Sequence, residues 1–267
     1  MGVDYHLHSH FSGDSKTSIE EICQAAISQN LQEIAITDHM DYSYPAIKPD
    51  YQLANIEQYL TTIAHYQAQY RGILTIRAGI EIGMEPHCLE QCDRMLRQYP
   101  FDFVIGSIHE VDGIQASKPA FFAGKTKAQA YEAYYRTILE CIKPFDNFDV
   151  LGHLDYCKRY CPEPYTVTDH TIALPLIDEI LQTLIAKGKG IEVNTSGFRH
   201  SSQMCMPHYD IITRYRQMGG TRITIGSDSH RDEFVGFHAT DTENALKQIG
   251  FTHLSTFDKR IEKPIAL

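Results

Sequence analysis

The chain has 267 residues, of which 43% are apolar, so it can bury a substantial core in one large domain. Its formal net charge of -10 disfavours an extended nucleic-acid interface, because such surfaces are usually basic. The sequence contains no run of about 18 apolar residues and no basic, apolar leader pattern, so we expect no membrane span, no secretion signal and a cytoplasmic location.

Short runs rich in β-branched residues predict seven strands along the chain. Helical spacing of apolar residues separates most of these runs. The alternation predicts an α/β fold, in which a parallel sheet closes into a distorted (β/α)7 barrel and residues 1–267 form a single domain. The predicted strands cover residues 3–7, 33–37, 74–82, 103–108, 149–154, 190–194 and 222–225.

The predicted helices carry start and stop signals. Ser18, followed three residues later by Glu21, forms a capping box before an apolar stripe. Gly188 and Gly219 are placed to end two later helices, because glycine readily adopts the left-handed conformation that follows many helices. The helical periods cover residues 19–27, 56–64, 131–142, 176–185 and 211–218.

Histidines and carboxylates gather at the ends of the predicted strands. The chain has 14 histidines, and the carboxyl ends of parallel barrel strands converge on one face. His6 and His8 point to the same side of a strand, so both can reach one metal ion. Glu81 is a carboxylate in an apolar strand, where burial without a partner is costly. The alternative to a metal site is a hydrogen-bonded polar network among these side chains. For Asp14 a second alternative is a place in a surface turn.

Cysteine gives little sign of a structural zinc site. Seven cysteines are an odd number, which favours reduced thiols over a disulfide framework. The C-x3-C spacing at Cys88/Cys92 and at Cys157/Cys161 would suit a zinc knuckle only if further paired ligands followed, and none do. Imidazole and carboxylate ligands without thiolate instead suit Zn, Fe or Mn.

The whole chain resembles the polymerase-and-histidinol-phosphatase (PHP) superfamily, and within it the histidinol-phosphate phosphatase branch. The resemblance implies a (β/α)7 barrel with a metal site at the carboxyl ends of its strands. It rests on D-x-H-x-H-S-H-F-S-G-D from Asp4 to Asp14, T-D-H ending at His39, G-I-E-I-G around Glu81, G-S-I-H ending at His109, G-H-L-D at His153 and G-S-D-S-H ending at His230.

The resemblance also implies a trinuclear site for divalent ions, either Zn, Fe or Mn. Nine side chains would hold the ions, and Glu81 would bridge the first two. The first ion would be bound by His6, His8, Glu81 and Asp228, the second by Glu81, His109 and His153, and the third by Asp14, His39 and His230.

A site of this kind implies hydrolysis of a phosphate monoester. A metal-bridging hydroxide, held by Glu81 and the cluster, would attack phosphorus. The branch implies L-histidinol phosphate as substrate in histidine biosynthesis, with no nucleic-acid or membrane partner. Arg159 and Arg199 match basic positions of that branch and are candidate phosphate ligands, although each also fits a solvated loop arginine. Lys158 is a weaker candidate.

Several questions stay open at this point. His10 and His200 are candidate proton donors to the leaving group, and loops 110–122 and 158–168 are expected to control substrate selectivity. The alternatives are a nuclease or nucleotide phosphoesterase of the same superfamily, a hydrolase of C–N bonds on a similar barrel, and a non-catalytic metal-binding domain. The acidic charge disfavours the first, and the complete ligand set disfavours the last.

Overall fold

A curled sheet of parallel strands forms the centre of the computed structural model, which describes residues 2–42, 53, 55–162, 169–200 and 203–267. Its strands are short and mostly buried, as expected for a parallel sheet covered by helices. In chain order the strands are β1 (Gly2–Leu7), β2 (Leu31–Ile36), β3 (His39–Asp41), β4 (Thr75–Gly83), β5 (Phe103–Ser107), β6 (Glu110–Val111), β7 (Ile114–Gln115), β8 (Val150–Leu151), β9 (Gly190–Asn194), β10 (Ile223–Gly226), β11 (His253–Asp258) and β12 (Ile261–Ala266).

Seven of these strands form the barrel wall. They run parallel in the order β1-β2-β4-β5-β8-β9-β10, and β3 pairs with the end of β4. The two edge strands, β1 and β10, approach each other at a parallel bridge between Leu7 and Ser229, where His8 N donates to Ser229 O at 2.9 Å. The barrel is therefore nearly closed, and the predicted distorted (β/α)7 architecture is confirmed.

Helices join the strands. Their bounds are α1 (Ile19–Ser28), α2 (Ile56–Gln69), α3 (Leu89–Gln98), α4 (Pro119–Phe122), α5 (Lys127–Ile142), α6 (Leu174–Ala186), α7 (Tyr209–Gln217) and α8 (Ala239–Ile249). The predicted capping box is present, because Ser18 Oγ accepts from Glu21 N and the Glu21 carboxylate accepts from Ser18 N. Gly188 and Gly219 follow α6 and α7 with φ angles of 65° and 93°, as predicted. Helices α3, α4 and α8 were not predicted from the spacing of apolar residues.

An antiparallel hairpin of β11 and β12 covers the amino-terminal end of the barrel. Phe257 on β11 packs against Tyr5 and Phe103, with ring centroids 6.3 Å and 4.9 Å away. All three rings are buried, and Tyr5 Oη accepts from Phe257 N at 2.9 Å. Apolar packing therefore fills this end of the barrel, which leaves the carboxyl ends of the strands for polar side chains.

The structure also bears on membrane insertion and on the state of the cysteines. Among the described residues, no helix combines the length and the apolar character needed to cross a membrane. All seven cysteines are free. Cys88 and Cys92 lie side by side with their sulfur atoms 4.0 Å apart, and no cysteine belongs to a candidate metal-binding group in the described ranges.

Candidate metal centre

The carboxyl ends of the barrel strands surround a cavity of about 550 Å³. His6 and His8 lie beneath this cavity and are fully buried. The structure therefore brings all nine predicted ligands to one end of the barrel. The seven that line the cavity are Asp14, His39, Glu81, His109, His153, Asp228 and His230.

Glu81 on β4 lies at the centre of the cluster and is 1% exposed. Its Oε2 lies 3.1 Å from His6 Nε2, 3.5 Å from His8 Nε2 and 3.0 Å from His39 Nδ1. Among the described residues, Glu81 Oε2, His6 Nε2 and His8 Nε2 have no hydrogen-bond partner. Because three buried polar atoms without partners are costly, their convergence fits a bound cation.

The second oxygen of Glu81 faces histidines from the next strands. Oε1 lies 3.0 Å from His153 Nε2 and 3.3 Å from His109 Nε2, and it accepts from Ser107 Oγ at 2.6 Å. The side-by-side pairing of β4, β5 and β8 produces this proximity. One carboxylate thus stands between two groups of imidazoles, which is the arrangement that a bridging ligand requires.

A third group lies nearer the cavity mouth. Asp14 Oδ2 lies 3.0 Å from His230 Nε2 and 3.6 Å from His39 Nε2. Asp14 and His230 are 24% and 31% exposed, whereas Glu81 is buried. The ring of His8 stacks on those of His39 and His230 at centroid distances of 4.2 Å, which connects this group to the deeper ligands.

Asp228 reaches the cluster through an unusual backbone conformation. It follows β10 with φ of 51°, in the left-handed region that non-glycine residues adopt infrequently. Its Oδ1 lies 3.4 Å from His8 Nε2 and 3.7 Å from His230 Nδ1. Such conformations concentrate at functional sites, where surrounding contacts hold them in place.

The clustered charges set the protonation states of the ligands. Burial alone would raise the pKa of Glu81, but the imidazoles of His6 and His39 contribute to holding that pKa well below its usual value. Burial and the neighbouring histidines lower the pKa of His8 to about 3. An ionised carboxylate and a neutral imidazole are the forms that bind divalent metal.

Asp38, next to His39, and Asp4, two residues before His6, contact the segments that carry the ligands. Asp38 accepts from Ser9 N at 2.6 Å and from Ser12 Oγ at 2.5 Å, and Ser12 Oγ lies 3.1 Å from His8 Nδ1. Asp4 accepts from the backbone of Ser227 at 2.8 Å. Both side chains thus fix the loops that carry ligands.

Two further carboxylates contact ligand imidazoles, and the sequence analysis did not single them out. Glu192 Oε1 on β9 lies 2.6 Å from His6 Nδ1, and Asp41 Oδ2 on β3 lies 2.9 Å from His109 Nδ1. Carboxylates in this position orient metal-bound imidazoles. For Glu192 the available signal was an acidic residue within an apolar strand, which is the same signal that identified Glu81, whereas Asp41 in the three-residue β3 gave no such signal.

Arg159 and Arg199 both line the cavity. Arg159 Nη1 lies 3.2 Å from Ser196 Oγ and 3.8 Å from Asp228 Oδ2, while its buried Nε has no hydrogen-bond partner among the described residues. Arg199 donates from Nη1 to Ser227 O and from Nη2 to Asp228 O, both at 2.9 Å. Arg159 therefore keeps a free donor, whereas two donors of Arg199 are engaged with the backbone.

The weaker candidates for phosphate binding and proton donation lie in different parts of the structure. They are Lys158, His10 and His200. Lys158 is buried and donates to Asp155 Oδ2 at 2.9 Å, and it does not line the cavity. His10 is exposed and also lies outside the cavity lining. His200 lines the cavity, where burial and the charge of Arg159 lower the pKa of His200 to about 4.

The two loops expected to control selectivity are described to different extents. Loop 110–122 contributes Gln115, Ser117 and Lys118 to the cavity wall. In loop 158–168, residues 158–162 are described and residues 163–168 lie outside the described residues. Tyr160, within the described part, also lines the cavity, so both loops reach the site.

A nearly closed parallel barrel with imidazoles and carboxylates clustered at its strand ends defines a metal-binding barrel protein. The sequence model of the PHP domain family matches residues 4–196. The chain belongs to the PHP domain family.

Similarity to individual relatives extends over almost the whole chain. The histidinol-phosphatase of Lactococcus lactis subsp. lactis is 33% identical over 262 residues, which are 96% of this chain and 94% of the relative. The probable histidinol-phosphatase of Clostridium acetobutylicum is 33% identical over 265 residues, 98% of this chain and 99% of the relative.

A solved structure shares the fold at similar identity. Histidinol phosphate phosphatase from Lactococcus lactis subsp. lactis, complexed with zinc, L-histidinol and phosphate, has a TM-score of 0.88 and 32% identity, with 98% of each chain covered. The zinc in that relative and the His, Asp and Glu groups of this chain support the use of divalent metal.

Proposed function

We propose that the chain is a metal-dependent phosphomonoesterase that hydrolyses L-histidinol phosphate to L-histidinol and phosphate. The observation that supports it most is the convergence of His6, His8 and Glu81 on one point beneath a cavity, where buried ligand atoms have no hydrogen-bond partner within the described residues. The names of the Lactococcus and Clostridium relatives support the substrate assignment, because similarity to both covers nearly the full chain.

We assign the nine ligands to three divalent ions, which are Zn, Fe or Mn. When bound, such ions polarise phosphate oxygens and lower the pKa of water. Glu81 would bridge the first two positions, because its two oxygens face separate groups of histidines. The first set is His6, His8, Glu81 and Asp228, the second is Glu81, His109 and His153, and the third is Asp14, His39 and His230.

The two arginines bind and orient the phosphate. A guanidinium has planar donors that match phosphate oxygens, and Arg159 Nε is a buried donor without a partner among the described residues. Arg159 therefore provides a direct contact, and Arg199 adds positive charge from the neighbouring loop after β9. Because Glu81 and Asp228 hold ionised carboxylates nearby, these cations also keep the cavity from repelling an anionic substrate.

The cavity volume favours a small substrate. About 550 Å³ lies within the range of small-molecule sites, roughly 300–1,000 Å³. The net charge of -10 disfavours a long nucleic acid as substrate. We therefore propose a single phosphoesterase domain over residues 1–267 that acts on a small phosphorylated metabolite in the cytoplasm.

The test is a phosphate-release assay with histidinol phosphate on protein loaded separately with Zn, Mn or Fe. Phosphate release from histidinol phosphate should exceed that from a panel of other phosphate monoesters, from bis-p-nitrophenyl phosphate and from oligonucleotides. Faster hydrolysis of a diester or an oligonucleotide would instead favour the nuclease alternative. Failure to hydrolyse any ester with metal bound would favour a non-catalytic domain.

A further inference from the structure

Glu192 on β9 is a buried carboxylate that contacts residues from two metal-binding sets. It is 1% exposed. Its Oε1 lies 2.6 Å from His6 Nδ1, while its Oε2 accepts from His153 N at 2.8 Å and from Asn194 Nδ2 at 3.2 Å. One oxygen of Glu192 thus contacts the ring of His6, and the other contacts the backbone of His153.

Neighbouring glycines fix the space that this carboxylate occupies. A Cβ atom at Gly226 would overlap Glu192 Oε1 and the Cβ of His6. A Cβ at Gly152 would lie 3.6 Å from Glu192 Oε2. Because β8, β9 and β10 approach the carboxylate this closely, Glu192 has little freedom to adopt another position.

The contact with Glu192 determines which nitrogen of His6 carries the proton. An ionised carboxylate only accepts hydrogen bonds, so the ring of His6 is protonated on Nδ1. With Nδ1 facing Glu192, a metal ion would bind His6 through Nε2, which lies 3.1 Å from Glu81 Oε2 and has no hydrogen-bond partner in the described part of the chain. This is the tautomer and the orientation that a metal ligand needs.

We propose that Glu192 is a positioning residue that sets the tautomer of His6 and couples His6 to His153. The inference rests on the metal centre proposed above and extends it, since one carboxylate would control the first and the second ion together. Glutamine at this position has the same size, but one end of its amide is a donor. That donor must face either the N–H of His6 or the N–H groups of His153 and Asn194, so one of the two contacts is lost.

The test compares metal retention in wild type, Glu192→Gln and the control Asp149→Asn. Asp149 is also buried and accepts from Val104 N at 2.8 Å and Arg260 Nε at 2.6 Å, but it precedes β8 at the opposite end of the barrel.

After dialysis against graded chelator, Glu192→Gln should bind two of the three equivalents about 10–100-fold more weakly. The third equivalent, and all three in Asp149→Asn, should match wild type. Equal retention in Glu192→Gln and wild type, or the same loss in both variants, would overturn the proposal.

A measurement on the unaltered chain covers the case in which the variant does not fold. Long-range ¹H–¹⁵N spectra of the zinc-loaded wild type should show His6 protonated on Nδ1, with a proton protected from exchange. A proton on Nε2 would contradict the role of Glu192. Neither the chelator titration nor the spectra use substrate. A chain that bound metal through His6 but left histidinol phosphate intact would therefore refute the proposed function without contradicting the role of Glu192.

Discussion

Arg199 donates two hydrogen bonds to the turn that carries Asp228, from Nη1 to Ser227 O and from Nη2 to Asp228 O, both at 2.9 Å. The guanidinium also lies 4.7 Å from the ring centroid of Phe234. Because Asp228 has φ of 51°, these bonds hold a predicted metal ligand in a conformation that is costly for a non-glycine residue. Arg199 thus acts on the metal centre through the backbone as well as facing the cavity.

We therefore expect Arg199→Ala to lower metal content and activity together. Loss of two hydrogen bonds from a charged donor, each worth about 1.5–3 kcal/mol, should destabilise the folded state by about 3–6 kcal/mol and release the turn at Asp228. Metal content by mass spectrometry and thermal unfolding would measure both effects. Arg231→Ala is the control, since Arg231 also lines the cavity but its side chain is 71% exposed and should not affect metal. Full metal content in Arg199→Ala would contradict a supporting role.

Arg159→Ala should show the opposite pattern, with reduced activity and unchanged metal content. Its Nε has no hydrogen-bond partner in the described ranges, and a charged hydrogen bond to phosphate contributes about 1.5–3 kcal/mol, so kcat/KM should fall roughly 10–150-fold. Arg159→Lys should recover only part of the loss, because an ammonium lacks the planar donors. Steady-state kinetics on metal-quantified protein measure this, and unchanged kcat/KM would remove Arg159 from the substrate site.

The convergence of the ligands was predictable because it follows from topology. Parallel strands in a barrel all end on one face, so the period of two at His6 and His8, and the carboxylate at Glu81, were sufficient to place a site there. The same pattern predicted the wall of seven strands, and the glycine after α6 predicted where that helix ends. The assignment of ligands to three separate ions came from the resemblance and stays a prediction.

Other features depend on tertiary contacts that the local sequence does not encode. β3 is only three residues long, and its pairing with β4 is needed to bring Asp41 behind His109. Glu192 is an acidic residue within an apolar strand, but its contact with His6, 186 residues earlier in the sequence, is needed to show its role. Arg199 followed a strand end as expected, but its bonds to the turn after β10 connect elements distant in sequence.

Metal removal should destabilise the fold as well as abolish activity. Ligand atoms that have no hydrogen-bond partner among the described residues would be satisfied by coordination when a cation is bound, so binding should favour the folded state. At a free metal concentration about 100 times Kd, the linkage is about 2.7 kcal/mol per site. Because 1 kcal/mol shifts the Tm of a domain of this size by roughly 2–4 °C, chelation should lower the Tm by at least about 5 °C. Readdition of Zn or Mn should restore Tm and activity, and an unchanged Tm would contradict the assigned ligands.

Phe257→Ala should separate stability from the metal centre. This ring packs against Tyr5 and Phe103 at the end of the barrel opposite the ligands and is fully buried. Removal of a buried phenylalanine ring costs about 3–5 kcal/mol, so the denaturant midpoint should fall clearly. Metal content per folded molecule should match wild type. A fall in metal content at temperatures where the variant is folded would show that the hairpin also supports the ligand face.

The pH response of His200 tests whether it supplies a proton to the leaving group. Burial and the charge of Arg159 lower the pKa of His200 from 6.5 to about 4, so the imidazole is neutral throughout the range from pH 6 to 8. We therefore expect His200→Gln to leave any acid limb of the kcat/KM profile near pH 6–7 in place. A depressed histidine pKa also means that the unfolded state binds the proton more readily, so wild type should lose stability as pH falls from 6.5 towards 4, and the variant should lose less. Disappearance of the limb in His200→Gln would instead identify His200 as the titrating acid.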